Sequence, residues 1–278
     1  MPRPIFYLGP EGTHSHEAAQ RRFGDKARLT PCLSHYDIFA RLLATRATDR
    51  PLAIVPVENS IEGPVTQTLD QLASHQRLTI LDSFSVPVRQ HLLALPGATL
   101  KSIRRVVSHP QALGQCRNLQ KKYLPKADFI PEASTAAAAQ RAAREPGTAA
   151  IASETAARLH GLEILRPDVQ DGDANTTRFF TLARTRPPRS TAKNDVRSLI
   201  YLVIGNRPGA LLHVLSPFDA AGVNLTFIQS RPLAGRPWEY GFFIEAVTDW
   251  QSEPAKAAWK MICALAESGR ILGTYPIT

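Results

Sequence analysis

The sequence predicts an α/β protein in two parts: a larger half of alternating strands and helices, then a smaller βαββαβ unit. Three observations carry this. Apolar runs of strand length alternate with helix-period segments from Ile5 to Ala183. A stretch rich in Pro, Arg and Thr, 184–195, interrupts the pattern. Beyond it the pattern restarts and closes within 196–278.

The first strand is 5–8, and a turn leads from it to a helix around 16–23. Residues 52–57, Leu-Ala-Ile-Val-Pro-Val, read as a buried strand, with a helix around 65–73 after it. Residues 103–107 read as a strand. The helix 110–122 follows, with Pro110 near its start, where the missing N–H costs nothing. The Ala-rich 135–144 is a helix capped by Ser134 or Thr135. Residues 149–152 are a short strand, and Ser153 caps the next helix. Such alternation argues for mostly parallel sheets. After the break come a strand at 196–204 and a helix at 209–221. Strands at 224–231 and 239–247 are joined by a Gly/Pro turn, and a helix at 254–268 and a strand at 271–275 end the chain. That order is ferredoxin-like.

Length and composition bound the function. A chain of 278 residues holds two or three compact units at roughly 100–150 residues each. Its 44% hydrophobic content is ordinary for a globular protein. No stretch approaches the ~20 apolar residues of a membrane span. Met-Pro-Arg-Pro runs directly into the first strand without a signal-peptide layout. Cys32, Cys116 and Cys263 are odd in number and lack CxxC spacing. They read as reduced thiols of a cytoplasmic protein, not a disulfide frame or zinc site. The net charge of +9 raises nucleic-acid binding. Yet the densest basic cluster, Arg184, Arg186, Arg189, Lys193 and Arg197 around Pro187-Pro188, reads as a solvated linker, and no nucleic-acid motif accompanies it. A positive field also favours capture of a dianionic small molecule.

The richest segment is Asn175-Thr176-Thr177-Arg178-Phe179-Phe180, at the head of an apolar run. In a strand, Thr177 and Phe179 point one way and Thr176 and Arg178 the other. Thr177 can donate a hydrogen bond, and Arg178 can grip a carboxylate with two parallel bonds. Read alone, the segment is an edge strand with a solvated Arg before it is anything else. It gains weight beside Gly9-Pro-Glu-Gly-Thr-His-Ser15, Pro56-Val-Glu-Asn-Ser-Ile-Glu-Gly63, Ser108-His-Pro-Gln-Ala112 and Gln115-Cys116. In this order and spacing these motifs resemble the prephenate dehydratases, over nearly the whole chain. Pro208-Gly-Ala-Leu-Leu212 and Gln229-Ser-Arg-Pro232 resemble the two signature motifs of ACT domains, which bind free amino acids. Gln229 departs from the usual Glu of the second.

The resemblance implies decarboxylating dehydration of prephenate to phenylpyruvate, feedback inhibition by L-phenylalanine and no cofactor. It implies a two-lobed catalytic part of the type II periplasmic-binding-protein kind at 1–183. One lobe takes ~1–80 and ~160–183, the other ~81–159. A linker at 184–195 and an ACT domain at 196–278 follow. No chorismate mutase helices precede Ile5, which matches the monofunctional form. A homodimer or homotetramer is expected, with no nucleic-acid or membrane partner. Arogenate dehydration is the same-class alternative, and a non-catalytic amino-acid sensor the different-class one.

Site residues follow from the resemblance and from position. Thr177 matches the family's essential threonine and assists the departing hydroxyl. Arg178 either binds a carboxylate or braces the site, and Phe179 packs to exclude water. Asn59 and Ser60 follow the end of the strand 52–57, where ligands bind in open α/β sheets; read blandly they form an Asx turn and a cap. Glu58 would repel a dianion and suits a structural role. Ser108 and Gln111 open a helix after a strand, an edge that favours anions; Ser108 is otherwise the N-cap. Gln111 and Gln115 share a helical face at four-residue spacing, and Thr135 opens another helix. Thr13 lies in the strand-to-helix turn 9–15, which Ser15 is expected to cap. His14-x-His16 is the nearest approach to metal-ligand spacing and reads as a loop and first-turn pair. For the effector, the candidates are Gly209, Ala210, Leu211, Leu212, Asn224, Gln229 and Ser230.

Overall fold

A computed structural model describes residues 3–24, 27–172, 175–184 and 196–277. The expected linker 184–195, apart from Arg184, lies outside the described residues. The chain forms two compact units. One holds 1–38, 59–63 and 86–177; the other holds 39–58, 64–85 and 178–278. Two of the crossings fall at the peptide bonds 58–59 and 177–178, beside Asn59 and Thr177.

The elements run β1 (Pro4–Leu8), α1 (His14–Phe23), β2 (Arg28–Cys32), α2 (His35–Ala44), β3 (Leu52–Asn59), the two-residue β4 (Gly63–Pro64), α3 (Thr66–Ser74) and β5 (Thr79–Pro87). Next come β6 (His91–Ala94), β7 (Arg105–Ser108), α4 (Pro110–Gly114), α5 (Arg117–Tyr123), β8 (Asp128–Pro131), α6 (Thr135–Ala142), β9 (Thr148–Ala152), α7 (Glu154–His160), β10 (Glu163–Arg166) and β11 (Thr176–Ala183). The chain closes with β12 (Val196–Val203), α8 (Ala210–Ala220), β13 (Leu225–Leu233), β14 (Arg236–Ala246), α9 (Ala255–Leu265) and β15 (Ser268–Pro276).

In the first unit, β1 and β2 pair in parallel, and a separate five-stranded sheet has the order β10-β6-β9-β7-β8. Successive residues feed opposite faces of this sheet. Leu92, Val106 and Ala149 join one core cluster with Cys116 and Leu119; Leu93, Val107 and Ala150 join the other with Ala138 and Ala156. Both faces are therefore covered, which explains continuous apolar runs in place of alternation. The sheet is mixed, not mostly parallel. β7 runs parallel to β8 and β9, whereas β6 is antiparallel to β9 and β10. The link from β6 to β7 carries only the short 3-10 turn Leu100–Ser102, less than the dozen or more residues of a parallel crossover.

In the second unit β3, β11 and β5 lie side by side in that order. The C-terminal strands form an antiparallel sheet, β13-β14-β12-β15, in βαββαβ chain order. One face carries Ile200, Leu202 and Ile244 against Val214 and Phe218 of α8 and Ile262 of α9. The rest of the unit packs tightly on the C-terminal strands. Phe180 meets Tyr275 with ring centroids 5.3 Å apart. Gly273 approaches Ile80 so closely that a Cβ there would stand 2.6 Å from its carbonyl oxygen. Ser83 bridges Ile277, and Arg231 grips Asp70 through two 2.7 Å bonds.

Two local expectations change. The helix expected over 110–122 is two helices, broken at Gln115 and Cys116. Asp171 accepts from Arg117 N and Asn118 N, both at 2.8 Å, and so caps a new helix start. The first helix is capped by Thr13, whose Oγ1 accepts from His16 N at 3.3 Å; Ser15 is buried within its first turn.

Candidate active site

Thr177 stands at the head of β11 in a chain of amide hydrogen bonds with a fixed polarity. Asn59 Oδ1 accepts from Ile61 N at 3.0 Å and Glu62 N at 3.1 Å, which is an Asx turn. Those bonds identify the oxygen, so the amide nitrogen must face the other way. Asn59 Nδ2 donates to Thr177 Oγ1 at 2.9 Å and to Asn175 Oδ1 at 2.7 Å. Asn175 then donates through Nδ2 to Gln115 Oε1 at 3.0 Å. Gln115 Nε2 ends the chain as a buried donor with no partner among the described residues. Thr177 Oγ1 thus receives one bond, and no acceptor for its own O–H is found among the described residues. Ser60 ties the segments together: its N donates to Thr176 O at 2.9 Å, and its Oγ accepts from Thr176 N at 3.0 Å.

The Asx turn therefore fixes the direction of the bond from Asn59 to Thr177. Asn175 is the member that the residue reading did not select. Its signal was available: a polar residue two before Thr177, and it proves to be only 4% exposed.

The helix-start candidates divide. Ser108 is fully buried and donates to Ile151 O at 2.6 Å, joining β7 to β9. The cap of α4 is His109, whose Nδ1 accepts from Gln111 N at 3.4 Å. Gln111 is exposed in the first turn of α4. Gln115 is the C-cap of that helix, one turn on from Gln111, and its N donates to Gln111 O at 3.1 Å. Thr135 is half-buried at the start of α6, where Ser134 Oγ accepts from Ala137 N at 3.0 Å. Thr13 Oγ1 is within donating distance of Pro10 O at 2.9 Å and Leu8 O at 3.2 Å. Ser153 caps α7 and donates to Gly12 O at 2.9 Å, which fixes the 9–15 turn.

Two titratable groups near these residues are held toward their uncharged forms. Burial lowers His16, whose Nδ1 accepts from Gly12 N at 3.0 Å. Burial, helped by Asp171, pushes the Cys116 thiol up to about 12. No cluster of three or more metal-binding side chains occurs among the described residues.

Arg178 and Phe179 belong to the second unit. Phe179 is buried and stacks on Phe84 with centroids 5.7 Å apart. The Arg178 guanidinium meets two carboxylates, Glu245 Oε2 at 2.6 Å and Glu58 Oε2 at 3.0 Å.

In the C-terminal module Gly209 caps α8 with φ +76°, a left-handed conformation that favours glycine. Ala210 and Leu211 help line a cavity of about 140 Å³ with Ile204, Arg207, Trp238 and Tyr240. Leu212 is exposed, and so are Asn224 and Ser230 on the neighbouring strand segment. Gln229 Nε2 donates to the Ser230 carbonyl at 2.8 Å.

Residues 5–187 match the family model described as prephenate dehydratase. Among curated proteins, the chain is 36% identical over 272 residues to a bifunctional chorismate mutase/prephenate dehydratase of Aquifex aeolicus, covering 98% of this chain and 73% of that protein. Among solved structures, it resembles a prephenate dehydratase of Arthrobacter aurescens in complex with L-Phe: TM-score 0.86, 33% identity, 98% of this chain and 90% of that one. It resembles GqqA, described as a novel type of quorum quenching acylase, with TM-score 0.89 and 30% identity over 99% of this chain and 98% of that one.

Proposed function

This chain belongs to the prephenate dehydratase family, and we propose that its hydroxyl-expelling group is Thr177, held and polarised by Asn59. The observation that carries this is the 2.9 Å bond from Asn59 Nδ2 to Thr177 Oγ1, with the Asn59 oxygen locked in its turn. An oxygen that accepts from Asn59 keeps its own proton for another acceptor. That acceptor is the ring hydroxyl of prephenate.

The reaction is a redox-neutral elimination. The ring C–O bond breaks with its electron pair going to the leaving oxygen, which departs hydrogen-bonded to Thr177 and takes a proton from solvent to become water. The bond to the ring carboxylate breaks as well; its electron pair enters the ring, and carbon dioxide departs. A free threonine hydroxyl is a poor acid, so Thr177 acts by a hydrogen bond that strengthens as charge builds on the leaving oxygen. Gln115 Nε2 is a second fixed donor of the same network. Poor solvation of the ring carboxylate favours its loss, since its charge disperses in the transition state. In this reading Arg178 braces the site through Glu58 and Glu245, and Ser108 braces β7. Gln111, Thr135, Thr13 and Ser60 border the substrate or its backbone cradle.

For regulation, residues 196–277 serve as an ACT module that takes L-phenylalanine, the ligand of the Arthrobacter structure. The start of α8 after Gly209 offers N–H groups to its carboxylate. Asn224, Gln229 and Ser230 approach the amino acid across a twofold pairing of chains, as a dimer or a pair of dimers. The whole is a two-lobed part at 1–183 of the periplasmic-binding-protein kind and a regulatory part at 196–278.

Acyl transfer, as in the acylase neighbour, needs a nucleophile with a base. Cys116 is buried with its thiol pushed up to about 12. A thiol held protonated is a poor nucleophile, which supports dehydration over acyl transfer. The deciding experiment follows prephenate loss and phenylpyruvate formation, with arogenate alongside and phenylalanine present or absent. No turnover of either substrate overturns the reading, and arogenate turnover alone changes the substrate.

A further inference from the structure

We propose that Glu245 is a positioning residue for the dehydration, acting on the Thr177 and Asn59 segments through Arg178; this rests on the functional reading above. Glu245 lies on β14, and its side chain is completely buried. Four donors from four strands converge on its carboxylate. They are Arg178 Nη1 at 2.6 Å from β11, Arg197 Nη1 at 2.9 Å from β12, Thr226 Oγ1 at 2.6 Å from β13 and Tyr275 OH at 2.9 Å from β15. Burial alone would push this carboxyl up. Arg178, Thr226, Arg197 and Tyr275 together outweigh it and hold the group below the usual carboxylate range. Glu245 is therefore a charge at the centre of the second unit.

Arg178 spends its two terminal nitrogens on Glu245 and on Glu58, and its buried Nε has no partner among the described residues. The two carboxylates orient the guanidinium, which also lies 5.7 Å from the ring centroids of Phe180 and Phe227. Glu58 immediately precedes Asn59, and Arg178 immediately follows Thr177. One guanidinium thus clamps the two segments whose side chains share the 2.9 Å site bond, one residue away from each. A carboxylate serving only the C-terminal sheet has Arg197, Thr226 and Tyr275 for partners; Arg178 is the link that leads out of that sheet. The route also runs the other way. β13 carries Thr226 together with Gln229 and Ser230, so a shift of β13 on effector binding pulls on Glu245, then Arg178, then Thr177.

The test compares purified full-length E245Q, R178Q and the double variant with wild type, using prephenate turnover and thermal unfolding. E245Q keeps the side-chain shape and removes the charge. We expect kcat to fall about tenfold to a hundredfold, with KM within about threefold, because misplacement of about 1 Å carries that cost. R178Q should match it, and the double variant should be no slower than the slower single variant. A kcat per folded molecule at the wild-type value, with only the melting temperature lowered, overturns the proposal; so do losses that multiply in the double variant. Should E245Q fail to fold, Thr226→Val and Tyr275→Phe decide, since each removes one bond and leaves the charge. Each should lower kcat about two- to fivefold, and Thr226→Val should also move the phenylalanine inhibition midpoint. Wild-type values in both overturn it. A wild-type enzyme inert on prephenate and arogenate overturns the functional reading instead. A thermal double-mutant cycle between Tyr275→Phe and Arg178→Lys then decides, and additive shifts rule out the coupling.

Discussion

Replacing Asn59 by Asp tests the polarity of the amide chain most sharply. The substitution keeps an oxygen for the two turn N–H groups, of Ile61 at 3.0 Å and Glu62 at 3.1 Å, so the Asx turn survives. It replaces the donor Nδ2 with a second oxygen. That oxygen would sit 2.7 Å from Asn175 Oδ1, acceptor against acceptor, where a bond stood before. It would sit 2.9 Å from Thr177 Oγ1, whose proton would turn toward the new carboxylate. The lost bond to Asn175 costs about 1 kcal/mol in the ground state, while the bond to Thr177 reverses its direction. Removing the Thr177 donor from the leaving hydroxyl costs about 3–4 kcal/mol of transition-state stabilisation, or roughly 10²–10³ in kcat. Asn59→Ala removes the donor without adding the competing acceptor, so Thr177 keeps its proton. The expected order is wild type, then Asn59→Ala, then Asn59→Asp slowest, with KM moving within about threefold. The assay is the initial rate of phenylpyruvate formation from prephenate, with circular dichroism as the fold control. An Asn59→Asp enzyme as fast as Asn59→Ala would refute the argument, because charge and polarity at that nitrogen would then be irrelevant.

Thr177→Ala should keep its fold and lose about a hundredfold or more in kcat, with Thr177→Ser recovering part; near-normal turnover of Thr177→Ala in the same assay would remove Thr177 from its role. Gly209→Val should lose phenylalanine inhibition while basal turnover persists, because the new side chain must adopt φ +76° and its Cβ would stand 3.2 Å from the His213 ring; an unchanged inhibition curve places the effector elsewhere. A thiol reagent at pH 8 should label exposed Cys263 quickly, and buried Cys32 and Cys116 only on unfolding; mass spectrometry of the native protein reads this, and rapid Cys116 labelling would contradict its raised pKa. The Glu245 carboxyl is held below its usual 4.5 in the folded protein, so its stabilisation is complete above that pH and lost as pH falls through the folded value. The gap in melting temperature between wild type and E245Q should be constant from pH 7 to 5 and shrink below about 4.5; a gap that widens in acid would reverse the sign of that shift.

Much of this protein could be read from residue order. Alternating apolar runs placed strands at 52–57 and 149–152, which run Leu52–Asn59 and Thr148–Ala152, because a strand covered on both faces must be apolar throughout. The βαββαβ order of the C-terminal half was visible from spacing, since a helix or a strand needs only its own residues to declare its period. Asn59 and Thr177 stood out through motifs whose order and spacing resemble the prephenate dehydratases.

Other features needed the third dimension. The break of the helix at Gln115 depends on Asp171, more than fifty residues away, supplying the cap. The sense of every amide in the Asn59–Asn175–Gln115 chain is set by one local turn and passed along through space, and sequence separation of 116 residues hides it. Most of all, the sequence presents Arg178 as a cation beside a reactive threonine, with substrate and brace equally open to it. Its partners, Glu58 and Glu245, lie 120 residues before it and 67 after it, and ion pairing is decided by proximity and desolvation. The same long-range packing ties Phe180 to Tyr275 and Ile80 to Gly273, so the C-terminal strands complete a core that residues 1–183 begin. Local periodicity determined the elements; which buried charge meets which was decided only when the chain closed around them.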